Sequence, residues 1–127
     1  MENNILADTS ILIDLQRGKL NTVKSFTKVK NRVCISRITA CEFIYGALDK
    51  REKKINRDFI EKLEIREISE EISKYCYSLL DKYTLGMKFG ISDAIIAATA
   101  VIDGYYLWTL NMKHFKRIKE LKLFAVK

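Results

Sequence analysis

Two rhythms of apolar residues alternate along the chain. Short continuous runs such as Asn4 to Ala7 and Arg32 to Ile35 read as buried strands. Between and after them, apolar side chains recur every three or four residues, the spacing of a helix with one buried face. Ser10 to Arg17 is such a stretch, stopped by Gly18, and Leu20 to Val29 is the next. Arg37 to Leu48, continuing to Asp49, and the charged segment Lys50 to Lys62 follow. Glu64 to Ile68 alternates like a short strand. Ser69 caps a long helix whose inner side carries Ile72, Cys76, Leu79, Leu80 and Tyr83. Ser92 to Ile102 is a small-residue helix ended by Asp103-Gly104. Tyr105 to Leu110 is a strand, His114 to Ile118 one or two helical turns, and Leu121 to Val126 a last strand.

Strands separated by helices predict right-handed crossovers and a mostly parallel sheet with both faces covered. The expected fold is an α/β three-layer sandwich. Ligands in such folds gather at the carboxyl ends of the strands. Asp8, directly after "NNILA", stands at one such end.

Composition narrows the class. A chain of 127 residues, 48% of them hydrophobic, supports a single domain over residues 1–127. It has no proline, five scattered glycines, and no repeat or low-complexity tract that would mark a linker. The N-terminus carries no basic region ahead of an apolar stretch, so no secretory signal is read. The longest apolar run, Ala94 to Ile102, falls short of the roughly 20 residues a membrane span needs. A soluble, cytoplasmic protein with no membrane partner is expected. Cys34, Cys41 and Cys76 include no CxxC pair, so they are expected as small buried residues in a reducing compartment, not as a disulfide frame or zinc site. The net charge of +7 favours polyanions, nucleic acid among them.

Three acids lie in unusually apolar surroundings: Asp8, Glu42 in "RITACEFIYGAL" and Asp93 in "ISDAIIAATA". Asp8 has a structural explanation as the cap of the helix near Ser10, and Asp93, or Ser92 beside it, as the cap of the helix running to Ile102. Glu42 is less easily absorbed. On a helix from Arg37 to Asp49, Thr39, Glu42, Gly46 and Asp49 share one narrow polar sector. Gly46, one turn after Glu42, leaves open space beside the carboxylate. Should the three acids converge, their mutual repulsion and desolvation call for a hard cation. Mg²⁺ or Mn²⁺ takes oxygen ligands and bridges to phosphate. Acids on a basic protein therefore point to metal-assisted phosphodiester chemistry. Asn111 and His114 follow a strand as well. Asn111 either caps the short helix or orients a water, and His114 is either a packed side chain or a phosphate contact or proton carrier. Lys113, Lys116, Arg117, Lys119 and Lys122 surround them, as a solvated face or a hold on a phosphate backbone.

The segments "LADTSILIDL", "ITACEFIYGA", "ISDAIIAATA" and "LWTLNMKHF", in this order and spacing, resemble the four motif segments of PIN-domain proteins, and in particular the VapC toxins of toxin–antitoxin pairs. The resemblance runs from Ile5 to Val126. It implies a parallel sheet between helices and a Mg²⁺- or Mn²⁺-dependent endoribonuclease. Its metal-holding acids correspond to Asp8, Glu42 and Asp93, with Asn111 completing the catalytic set. Thr9, Ser10, Ser92 and His114 support the site. It also implies an RNA substrate, a homodimer and an antitoxin that inserts a segment near the active site. Many members carry a further acid where "NMKHF" here has Asn111 and His114. A PIN-fold module without catalysis, binding nucleic acid or protein, is the alternative. A phosphorelay receiver domain fits poorly, because Asp8 adjoins Thr9 instead of a second acid.

Overall fold

Three consecutive, fully buried residues at Ile5–Ala7 form the central strand β1 of a five-stranded sheet. The computed structural model describes residues 4–85 and 89–125. The other strands are β2 (Val33–Ser36), β3 (Glu64–Arg66), β4 (Tyr106–Trp108) and β5 (Lys122–Leu123). Their order across the sheet is β3-β2-β1-β4-β5, and every pairing is parallel. Ile5 pairs with Val33 on one side and with Tyr106 on the other.

Helices α1 (Thr9–Gln16), α2 (Leu20–Val29), α3 (Arg37–Tyr45), α4 (Lys50–Ile60), α5 (Glu70–Tyr83), α6 (Ile91–Asp103) and α7 (Met112–Phe115) supply the crossovers and flanks. Successive side chains of a strand point to opposite faces, and β1 divides accordingly. Leu6 faces a core built with Ile72, Cys76 and Leu79 of α5 and the alanines of α6. Ile5 and Ala7 face a second core with Ile11, Leu12, Phe43, Ile60 and Trp108. The expected three-layer sandwich is therefore present.

Local signals set most boundaries. Ser69 Oγ accepts from the Ile72 amide at 3.1 Å and starts α5. Gly104, at φ 74°, ends α6 in the left-handed region that glycine enters at little cost. The helix expected to run past Leu48 stops earlier. Gly46 is its C-cap, with the Gly46 amide bonded to Glu42 O at 2.9 Å. Gly46 is thus a helix end, not a gap inside a helix, and Asp49 opens α4 by accepting from the Glu52 amide at 2.8 Å. Thr39 is fully buried instead of sharing an open polar strip with Glu42, and its hydroxyl has no hydrogen-bond partner among the described residues. Cys34 and Cys76 are buried as expected, but Cys41 is exposed because the outer side of α3 faces solvent.

The strand order carries a functional consequence. From β1 the chain moves outward through β2 to β3. It then crosses back, by way of α5 and α6, to the other side of β1. The crevice beyond the carboxyl ends of β1 and β4 is therefore a topological switch point, the usual ligand position in open parallel sheets.

Candidate active site

Asp8 follows the last residue of β1 and is 4% exposed. Its amide donates to Trp108 O at 3.0 Å, which ties it to the end of β4. Its carboxylate is also the N-cap of α1. Oδ1 accepts from the Ser10 amide at 3.0 Å, the Ile11 amide at 3.4 Å and the Ser10 hydroxyl. The capping explanation is thus true of Asp8, and it accounts for only part of the arrangement. Burial raises the Asp8 carboxyl above its ordinary range, and hydrogen bonds from Ser10, Thr109 and the backbone pull the other way. All of these partners are neutral.

Two hydroxyls extend the site. Thr9 Oγ1 donates to Glu42 Oε1 at 2.6 Å, so α3 presents its acid to the start of α1. The hydroxyls of "DTS" therefore split: Ser10 holds Asp8, and Thr9 holds Glu42. Ser10 Oγ also accepts from the Leu110 amide at 3.0 Å, which fastens the segment after β4 to the same joint. Thr109, 7% exposed, accepts from the Asn111 amide at 2.9 Å. Sequence reasoning passed over Thr109. Its signal was a hydroxyl residue at a strand end, three positions before the start of α7.

Asp93 is reached differently. It lies in the first turn of α6, which follows α5 and not a strand, so it does not stand at a strand end. The N-cap is Gly90, not Asp93 or Ser92. Asp93 Oδ2 accepts from the Gly90 amide at 3.5 Å. The same oxygen lies 3.3 Å from His114 Nδ1, a buried nitrogen without an aligned hydrogen bond. Asn111 heads α7 without capping it, and its residue is exposed. Asp8, Thr9, Ser10 and Glu42 thus form one group, and Asp93 with His114 another. The Leu110–Asn111 segment runs from the first group into α7, which carries His114 of the second. Among the described residues, no three His, Cys, Asp or Glu side chains are gathered at metal-binding spacing. The arrangement is not a preassembled metal cage.

A family model for the PIN domain matches residues 5–121. The chain belongs to the PIN-domain family. "Ribonuclease VapC1" of Methanocaldococcus jannaschii is 41% identical over 127 residues, covering 96% of this chain and 86% of that protein. "Ribonuclease VapC1" of Rickettsia felis is 35% identical over 130 residues, covering 96% of each. Among solved structures, a toxin–antitoxin complex from Klebsiella pneumoniae superposes with a TM-score of 0.79 at 32% identity, covering 92% of this PIN domain and 94% of that chain. The match spans β1 to the segment before β5, so every candidate site residue of this PIN domain lies inside it. No helix among the described residues is long and apolar enough to cross a membrane.

Proposed function

We propose that this PIN-domain chain, a single domain over residues 1–127, is a metal-dependent endoribonuclease. It is the toxin of a toxin–antitoxin pair, and it hydrolyses RNA phosphodiester bonds in the cytoplasm. One observation carries the reading: Asp8 is a buried acid at the switch point of the sheet, and its hydrogen bonds come only from neutral groups. Such an acid is tolerated best when a cation shares the site.

The donor chemistry fits a hard divalent ion. Asp8, Glu42 and Asp93 offer carboxylate oxygens, with hydroxyls beside the first two and an imidazole beside the third. Mg²⁺ needs only one or two carboxylates and keeps several waters, so the lack of a closed cage does not oppose it. Asp8, Glu42 and Asp93 would hold Mg²⁺ or Mn²⁺. When bound, the ion supplies activation of a nucleophile and charge neutralisation at the scissile phosphate.

The chain's own residues do the rest. Thr9 fixes the rotamer of Glu42, and Ser10 fixes Asp8 relative to the β4 segment. His114 stands beside the Asp93 oxygen. Asn111, exposed at the head of α7, faces incoming substrate as a neutral hydrogen-bonding group. Lys113, Lys116 and Lys119 on and after α7 are exposed and meet the phosphate backbone. Ser92 supports the first turn of α6. The similar chain from Klebsiella pneumoniae is part of a toxin–antitoxin complex, which supports an antitoxin partner for this one, and the resemblance to VapC toxins adds a homodimer. The exposed Tyr45 and Leu48, 93% and 87% accessible, offer apolar area for such contacts.

The test is cleavage of RNA by the purified protein with Mg²⁺ or Mn²⁺, set against the same reaction with a chelator. Cleavage that stops with the chelator and in folded Asp8→Asn and Asp93→Asn variants supports the proposal. Full activity in either variant defeats it. A second reading, a PIN-fold module that binds without catalysis, rests on Asn111 and His114 standing where many family members carry a further acid. Calorimetric titration separates the two: uptake of Mn²⁺ supports the enzyme, and none supports the module.

A further inference from the structure

Beside Glu42 lies a cavity of about 380 Å³ between α1, α3 and α4 that the proposed chemistry does not use. Thr9 and Glu42 form one wall, so it adjoins the group built around Asp8. Ile13 and Phe43 supply apolar surface. Gln16 and Asn56 supply amides, and Arg17 and Glu52 add one charge of each sign to the lining.

Asn56 is the informative residue. It lies on the most charged helix of the chain, yet it is only 2% exposed. Its Nδ2 donates to Phe43 O at 3.1 Å. A carbonyl can only accept, so this bond fixes which way the Asn56 amide points. Asn56 Oδ1 must then face Gln16, and it accepts from Gln16 Nε2 at 2.7 Å. Gln16 is oriented in turn. Its Oε1 and its second N–H remain, an acceptor and a donor on an exposed residue. A buried polar side chain left unsatisfied destabilises the fold. Asn56 avoids that cost and holds a surface amide in one orientation.

We propose that this cavity is a nucleobase subsite, in which the Gln16 amide, buttressed by Asn56, reads adenine in the RNA. A side-chain amide matches adenine in a bidentate pair, its oxygen accepting from the exocyclic amine and its N–H donating to a ring nitrogen. The Ile13 and Phe43 wall covers the flat base. Arg17 supplies a cation for the phosphate of the same nucleotide. Single-stranded RNA offers such bases, because they are unstacked and can enter a pocket. The inference rests on the ribonuclease reading and adds to it where base preference comes from.

The experiment is digestion of an RNA library with a randomised centre, with every cleavage end sequenced, for wild type and Gln16→Leu. Gln16→Leu leaves the buried Asn56 Oδ1 without its donor, so a thermal melt verifies that the variant is folded at the assay temperature. Wild type should favour adenine at one position next to the cut. Gln16→Leu should lower that preference about ten-fold, the loss of one bidentate base contact. Titration of wild type with adenosine monophosphate should shift the side-chain amide signals of Gln16 and Asn56. A profile that Gln16→Leu leaves unchanged, or a wild-type profile without adenine preference, overturns the subsite alone. A wild type that leaves the library uncut overturns the ribonuclease reading, and the subsite with it.

Discussion

The Thr9 hydroxyl donates to Glu42 Oε1 across 2.6 Å and joins two residues 33 apart in the chain. Glu42 would otherwise be a half-exposed side chain with several rotamers. Held by Thr9, it keeps its second oxygen turned to one place beside the β1–α1 joint.

Thr9→Val keeps the shape of the side chain and removes the donor. A hydrogen bond to a charged group contributes about 1.5–3 kcal/mol, so its loss should lower RNA cleavage by about ten-fold or more. Thr9→Ser should restore most of it. Weaker Mn²⁺ binding in Thr9→Val, measured by calorimetry, identifies Glu42 positioning as the cause. Unchanged Mn²⁺ affinity and activity would show that Glu42 works free of Thr9.

Ser10 links two strand ends with one oxygen, donating to Asp8 and accepting from the Leu110 amide at 3.0 Å. Ser10→Ala should cost about 1 kcal/mol of stability, measured by urea unfolding. It should also loosen the segment leading to Asn111, seen as faster amide exchange at Leu110. Equal exchange rates in the two proteins would show that the backbone alone holds this segment.

The fold was legible from apolar rhythm, because strands buried on both faces and helices buried on one leave different periods. Leu20–Val29 was placed to the residue. Boundaries slipped where a cap outweighed periodicity. Apolar Ala47 and Leu48 suggested more helix, but Gly46 ended α3 and left Leu48 in solvent. The acids were visible as charges in apolar runs. The family resemblance places both the Thr9 and the Ser10 hydroxyl on Asp8 or on the helix start; Ser10 is there, but nothing in local pattern shows that Thr9 reaches Glu42 instead. Gln16 and Asn56 were hidden for the same reason: their bond spans 40 positions, and Asn56 sits in a sequence that reads as a solvated face.

The three cysteines should react at very different rates. Burial pushes the Cys34 thiol up to about 12, and it also raises Cys76. Thiolate is the reactive form, so both should resist an aromatic disulfide reagent at pH 8. Cys41 is exposed on α3 and should react at once. One thiol should titrate in the native protein and all three in guanidinium. Cys41→Ser should abolish the native reaction; a remaining fast thiol would place another cysteine at the surface.

Asp8 should make the metal-free protein less stable than it need be. Burial raises its carboxyl above the ordinary 3.8, so the folded chain binds that proton more tightly than the unfolded chain does. The sign follows. Below 3.8 both states hold the proton and there is no penalty. As pH rises through the raised native value, Asp8 ionises inside the fold and stability falls. Asn in its place keeps an oxygen for the Ser10 and Ile11 amides and carries no charge. Asp8→Asn should therefore melt above wild type at neutral pH in a chelator, with the gap closing as pH approaches 3.8. Divalent cation should reverse the order. Saturating Mn²⁺ at about a hundred times its dissociation constant stabilises the protein that binds it by about 2.7 kcal/mol, and Asp8→Asn should lose most of that gain. A variant that melts below wild type in chelator, or gains equally from Mn²⁺, would show that the Asp8 carboxylate serves α1 as a cap and nothing more.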